Sequence, residues 1–398
     1  MNPIVETDAL AALCREYAAA PFVCLDTEFM REKTYYPRLC LVQVSGPDGE
    51  ARTVDPLAPD LDLAPLLALL ADGNVLKVLH AGRQDIEIFF HLTGRVPAPL
   101  FDTQVAAMVC GFGEAVAYER LARKIAKAEI DKSSRFTDWS TRPLTERQTT
   151  YALADVAHLP AIYRALDARL AATGREPWLA EELATLTDAE TYRMTPEHAW
   201  RRIKTRMTKP RFLGVLREVA AARERFAQER DLPRNRVLRD EALLEIASHQ
   251  AATPEELGRI RGVTGGLAKS AFGKALLAAV ARALALPEDR LPRVAKPPPT
   301  PRGAGPMVEL LKVLLKLCCE ENGVAAKLVA STADLERLAA DPSADVAALR
   351  GWRRALFGDD ALALMRGDLA LTAEDGRLAL VELEAQPEPT RAHAATAS

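Results

Sequence analysis

The sequence predicts an α/β domain followed by two all-helical modules, and three observations carry that expectation. Short apolar runs alternate with amphipathic stretches through the first hundred or so residues, the pattern of strands and helices stacked in layers. Beyond Asp102 the helical reading is almost uninterrupted. A Pro-rich segment at 291–306 then divides the C-terminal half in two. At 398 residues the chain is long for one core, because domains typically run to roughly 100–200 residues.

In chain order, Phe22-Val-Cys-Leu-Asp-Thr-Glu-Phe29 reads as an apolar strand that ends in acids, and Leu39-Cys-Leu-Val-Gln-Val-Ser45 as its partner. Tyr35-Tyr36-Pro37 would carry the hairpin connection. A helix around Leu63 to Leu70 leads to a second buried strand, Val75 to His80, then Ala81-Gly82 and an amphipathic helix from Gln84 to Leu92. Gly111, Gly113, Pro143 and Pro160 punctuate the helical remainder. One of its helices starts near Thr145 and is kinked or ended by Pro160. The composition shifts after Glu190, which sets the first domain at 1–190. The two modules are expected at 205–290 and 307–385, flanking the linker 291–306, with a frayed tail from Gln386 to Ser398. Arg239 to Ala247 and Ser331 to Ala339 share a cadence, which reads as a divergent repeat.

Composition narrows the function classes. A hydrophobic fraction of 48% and a charged fraction of 27% belong to an ordinary globular protein. No apolar stretch is long enough for a membrane span and no signal-like start is present, so the expected location is the cytoplasm. Cys14, Cys24, Cys40, Cys110, Cys318 and Cys319 form no C-x-x-C pair, which suggests reduced core thiols. The net charge is −3, but between Arg201 and Arg239 Arg and Lys far outnumber the acids Glu218, Glu224, Glu229 and Asp231. That stretch is either a solvated face or a surface for phosphates.

Chemistry concentrates in the N-terminal half. Asp26 and Glu28 stand at i and i+2 of a strand and so point to one face; an acidic pair closing an apolar run is hard to explain by packing. Asp85 opens a helix, where it is either a first-turn acid favoured by the helix dipole or part of a site. Tyr151 and Asp155, four residues apart, share a helix face. Phosphodiester cleavage with two divalent ions needs several carboxylates converging on metals roughly 3.5–4 Å apart, to activate water and to steady the departing oxygen. Mg2+ and Mn2+ prefer such oxygen ligands.

Taken together, Asp26-x-Glu28, Asp85 and Tyr151-x-x-x-Asp155 resemble the tyrosine-bearing branch of the DEDD 3′→5′ exonucleases. The wording around them, with Leu39 to Gln43, Phe101-Asp-Thr-Gln104, Asp138 to Leu144 and Ala199-Trp200, resembles the ribonuclease D family, and the helical modules resemble HRDC domains. The resemblance implies an α/β ribonuclease H-like exonuclease domain, a mixed sheet flanked by helices, followed by two all-α HRDC modules. It also implies a 3′→5′ exoribonuclease that releases 5′ mononucleotides from single-stranded 3′ ends of RNA such as tRNA precursors, acting as a monomer.

By the same resemblance Asp26, Glu28 and Asp155 would hold a first metal. Asp26 would reach a second, supported by Asp85 directly or through water, and Tyr151 would orient the attacking water. Phe29 would pack on the terminal base or simply in the core, and His80 would contact substrate or close its strand. Lys132 and Arg135 would meet backbone phosphates or solvent. The basic first module is the better candidate for holding RNA; the more acidic second one reads rather as a structural or docking module. Two other functions stay open: a DNA exonuclease of the same fold and a catalytically silent RNA-binding scaffold. Four acids without metal would repel the phosphates such a scaffold must hold.

Overall fold

A computed structural model of the chain describes residues 2–131, 134, 136–293 and 304–383. Lys132, Arg135, most of the expected linker and the expected tail lie outside these residues. The chain divides into two compact units, one from Met1–Gln104, Ala117–Ala168 and Ala180–Lys296, the other from Val105–Val116, Arg169–Leu179 and Pro297–Ser398.

The first unit is built on a five-stranded mixed sheet: β1 (Phe22–Met30), β2 (Arg38–Ser45), β3 (Ala51–Val54), β4 (Leu76–Leu79) and β5 (Leu100–Asp102). The order is β3-β2-β1-β4-β5, antiparallel from β1 through β3 and parallel from β1 through β5. The central position of β1 explains its nearly continuous apolar run, since both of its faces are covered. Val23 and Leu25, with Val42 and Val44, join the core under α1 (Thr7–Ala18), α2 (Ala64–Ala71) and α3 (Arg83–Thr93). The opposite face carries Asp26 and Glu28 beside Gln43 and Leu41. The register slips between Glu28 and Phe29, and such a bulge re-aims the side chains that follow it.

The rest of this unit is helical: α4 (Thr103–Val109), α5 (Tyr118–Leu121), α6 (Glu146–Ala157), α7 (Leu159–Thr173) and α8 (Glu176–Thr187), of which α4, α7 and α8 run on into the other unit. α6 packs on β1, β2 and β3 and ends before Pro160. A helical module follows, with a long α9 (Pro210–Arg230), one-turn α10 (Arg234–Val237), α11 (Asp240–His249), α12 (Pro254–Leu257), α13 (Gly265–Lys269) and α14 (Ala271–Ala285). Leu213, Leu216, Val219, Leu243, Ile246 and Leu276 pack its core.

The C-terminal part of the second unit runs in the same order, a long α15 (Ala304–Asn322), one-turn α16 (Ala326–Val329) and a capped α17 (Thr332–Ala340), then α18 (Gly351–Arg353) and α19 (Asp359–Arg366). It is not all-α. It closes on an antiparallel hairpin of β6 (Leu369–Glu374) and β7 (Arg377–Glu382). The reason is local: Asp375 (φ 50) and Gly376 (φ 75) form the left-handed pair that two-residue hairpins demand, between alternating apolar strands. All six cysteines are buried free thiols.

Candidate active site

Three elements converge on the end of β1. Asp26 and Glu28 project from its α6-facing side; Asp85 stands in the first turn of α3; Tyr151 and Asp155 lie on α6. The turn from β4 into α3 is narrow. Ala81 takes a left-handed φ of 55, and a Cβ on Gly82 would lie 2.7 Å from that of Leu79, so glycine is required there. Asp102 braces the turn: its carboxylate accepts from the N–H groups of Ala81 (3.2 Å) and Gly82 (2.9 Å). The start of α6 is set by a capping box. Thr145 accepts from the Gln148 N–H at 3.2 Å, and Gln148 accepts from the Thr145 N–H at 3.0 Å.

The electrostatics follow from this convergence. Asp26, enclosed with only part of its surface open, has its carboxyl pushed well above the ordinary range, first by burial and then by Asp85, Asp155 and Glu28 in turn. Asp85 is buried, accepts a hydrogen bond from Thr27 Oγ1 and is raised to about 6, chiefly by burial. Burial, then Asp155, Glu28 and Asp26, push the Tyr151 phenol up, and its hydrogen bond with Asp155 adds to this. Tyr151 therefore stays protonated at neutral pH. As the side chains stand, no three His, Cys, Asp or Glu among the described residues are gathered tightly enough to hold a metal ion; carboxylates without a counter-charge repel one another.

The other expected site residues are placed differently. Phe29 is half-buried and packs against the sheet core. The His80 ring lies 2.9 Å through Nδ1 from Thr103 Oγ1 and 5.7 Å from the ring of Tyr118. Three residues enter the site that the sequence reading passed over. Thr27 holds Asp85. Tyr118 donates to the Ala154 carbonyl at 2.9 Å beside Asp155, bracing the end of α6. Gln43, opposite Asp26 in the ladder, is fully buried with neither amide atom hydrogen-bonded among the described residues. A polar amide inside an apolar strand was the one available signal for Gln43; Tyr118 offered none.

Comparison with known proteins places these features. A 3′-5′ exonuclease family model matches residues 1–171 and an HRDC domain model residues 212–280. A Ribonuclease D of Nitrobacter hamburgensis is 52% identical, covering 96% of this chain and 100% of that protein. One from Jannaschia sp. is 50% identical over the same shares. The crystal structure of Escherichia coli RNase D, described as an exoribonuclease involved in structured RNA processing, matches with a TM-score of 0.77 at 35% identity, covering 92% of this chain and 99% of that one.

Proposed function

Because the chain belongs to the ribonuclease D family and is a 3′→5′ exoribonuclease, we propose that its catalytic site is the acidic cluster of Asp26, Glu28, Asp85 and Asp155 with Tyr151. The observation that carries this reading is the raised carboxyl of Asp26, surrounded by three other carboxylates brought in by β1, α3 and α6. A site that penalises its own negative charge is one that divalent cations would relieve. Its all-oxygen donor set suits Mg2+ or Mn2+. Asp26, Glu28 and Asp155 would hold one ion, and Asp26 with Asp85 the other.

Two bound ions would activate the attacking water and stabilise charge on the departing oxygen. Tyr151 keeps its proton, so it orients rather than deprotonates, its hydroxyl tied to Asp155. Thr27 and Asp102 hold Asp85 and its turn in place. His80, just beyond the end of β4, would be the contact to the terminal nucleotide, while Phe29 packs on the core. The product of each cycle is a 5′ mononucleotide.

The substrate reading extends the description of the Escherichia coli protein to this one: structured RNAs, tRNA precursors among them, trimmed in the cytoplasm by a monomer. No helix among the described residues is long and apolar enough to cross a membrane. The HRDC domain would hold the RNA. The segment 307–385 reads as a diverged second HRDC module, because its first three helices repeat the order of α9, α10 and α11.

The test is digestion of 3′-labelled single-stranded RNA and DNA with Mg2+ or Mn2+, and with chelator. The wild type releases mononucleotides from RNA only with metal. Asp26→Asn and Asp155→Asn lower the rate at least about a hundredfold, and Tyr151→Phe lowers kcat by about a hundredfold with little change in KM. Release that persists in chelator would remove the metal mechanism.

A further inference from the structure

We infer that the cavity between the β1–β2 connection and the first helical module is a phosphate subsite that takes the backbone of the RNA upstream of its 3′ end. The inference rests on the exoribonuclease reading and adds a binding site to it.

The cavity holds about 250 Å³ and is lined by Arg31, Arg202, Arg223 and Arg234, with Asn235 and Asp240. That is several times the ~30 Å³ share of one water and just under the roughly 300 Å³ at which drug-sized pockets begin. It fits a single charged group. Three of the guanidinium groups are fixed in advance. Arg31 forks onto Glu87 at 3.1 and 2.8 Å. Arg234 forks onto the buried Glu224 at 2.7 and 2.6 Å. Arg223, itself buried, donates to the Leu238 carbonyl at 2.9 Å and to Asp240 at 2.6 Å. Its Nε has no hydrogen-bond partner among the described residues.

Arg202, exposed at the end of a short 3-10 turn, Pro196–Arg202, makes no ion pair among the described residues. Four guanidinium groups thus face three carboxylates, Glu87, Glu224 and Asp240, and the surplus charge is that of Arg202. A pre-organised cluster with one unspent cation is complementary to a phosphodiester anion. The basic run from Arg201 to Arg239 is thereby resolved. Part of it is internal bracing, as with Arg211 on the carbonyls that end α14 and Arg225 on Glu197; Arg202, Arg223 and Arg234 line one cavity.

Location decides which phosphate. Arg31 directly follows β1, the strand that carries Asp26 and Glu28, so at ~3.3 Å per residue it stands at most about 16 Å from Asp26. A stacked strand rises ~3.4 Å per nucleotide, which puts the cavity at most about four or five nucleotides upstream of the terminal phosphodiester.

The test uses the full chain carrying Asp26→Asn, which binds RNA without digesting it, and fluorescence anisotropy with a labelled single-stranded 12-nucleotide RNA. Adding Arg202→Glu is expected to weaken binding on the order of fivefold at moderate salt and to lower the slope of log affinity against log salt by about one. Arg202→Ala follows in the same direction. Arg15→Glu, the same charge change on α1, leaves both unchanged. Adenosine 5′-monophosphate at millimolar concentration does not compete. Equal affinity and equal slope for the Arg202→Glu and parent proteins would overturn the subsite. So would competition by the mononucleotide that disappears in Arg202→Glu, since the cavity would then hold released product. Digestion of the same RNA by the wild-type chain with Mg2+ reads the exoribonuclease assignment separately, whichever way the binding falls.

Discussion

At the scale of single residues the site is a charge problem. Asp26 and Asp85 hold their protons in the folded protein at a pH where the unfolded chain has released them, because burial and neighbouring carboxylates raise both. Without metal, the folded state therefore binds more protons than the unfolded state above the ordinary carboxylate value of about 4. It loses stability as pH rises from there, through about 6 in the case of Asp85. In chelator the wild-type Tm should fall across that window. Asp26→Asn should flatten the curve and raise Tm at pH 7, since the side chain whose ionised form burial and the neighbouring carboxylates disfavour is gone. Millimolar Mg2+ should restore the wild type, by mass action on the folded state, and move the variant less. Differential scanning fluorimetry reads both; superimposed curves in chelator would mean that the carboxylates do not press on one another.

At the scale of elements, the entry of α6 decides where Tyr151 and Asp155 stand. Its capping box joins Thr145 to Gln148, and Gln148 Nε2 also donates to Thr137 Oγ1 at 3.2 Å, so the cap ties the helix to the preceding loop. Thr145→Ala should cost about 1 kcal/mol in urea unfolding and lower nucleotide release as well. Thr253→Ala removes the equivalent box from α12; it should cost similar stability and spare the activity. If the two variants lose activity alike, the cap does not position the site. The start of α6 near Thr145 was legible because a cap is a local signal. The β6–β7 hairpin was legible too, in its Asp375-Gly376 pair, but it was submerged in a chain otherwise helical in period.

At the scale of the whole first unit, residues far apart in sequence lock the β1–β2 connection to the helical module. Tyr35 OH donates to Glu224, Arg234 lies 4.6 Å over the Tyr35 ring, and Asp231 accepts from the N–H groups of Tyr35 and Tyr36, each at 3.0 Å. Burial opposes the Glu224 charge, yet the hydrogen bonds from Arg234 and Tyr35 hold its carboxyl below the ordinary range. Glu224→Ala would leave Arg234 without its counter-charge. The expected cost is about 3–5 kcal/mol, lost in one transition common to sheet and helices when unfolding is followed by both near- and far-ultraviolet circular dichroism. A loss under about 1 kcal/mol, the value of an exposed pair, would show that the lock bears little of the stability.

By itself the sequence determined the strands β1, β2 and β4, the helices that bear Asp85 and Tyr151, and the face shared by Asp26 and Glu28, because periodicity and caps act over a few neighbouring residues. Only the tertiary structure decided that Thr27 would hold Asp85, that Tyr118 would brace the end of α6, that Gln43 would lie beside Asp26 with no hydrogen-bond partner among the described residues, and that three arginines of the basic run would line one cavity with Arg31. The physical reason is range. Hydrogen-bond geometry in a local element is written into adjacent residues, whereas burial and charge are set by whatever the fold brings near, and in this chain those partners come from β1, β2, α5, the turn Pro196–Arg202, α9 and α10.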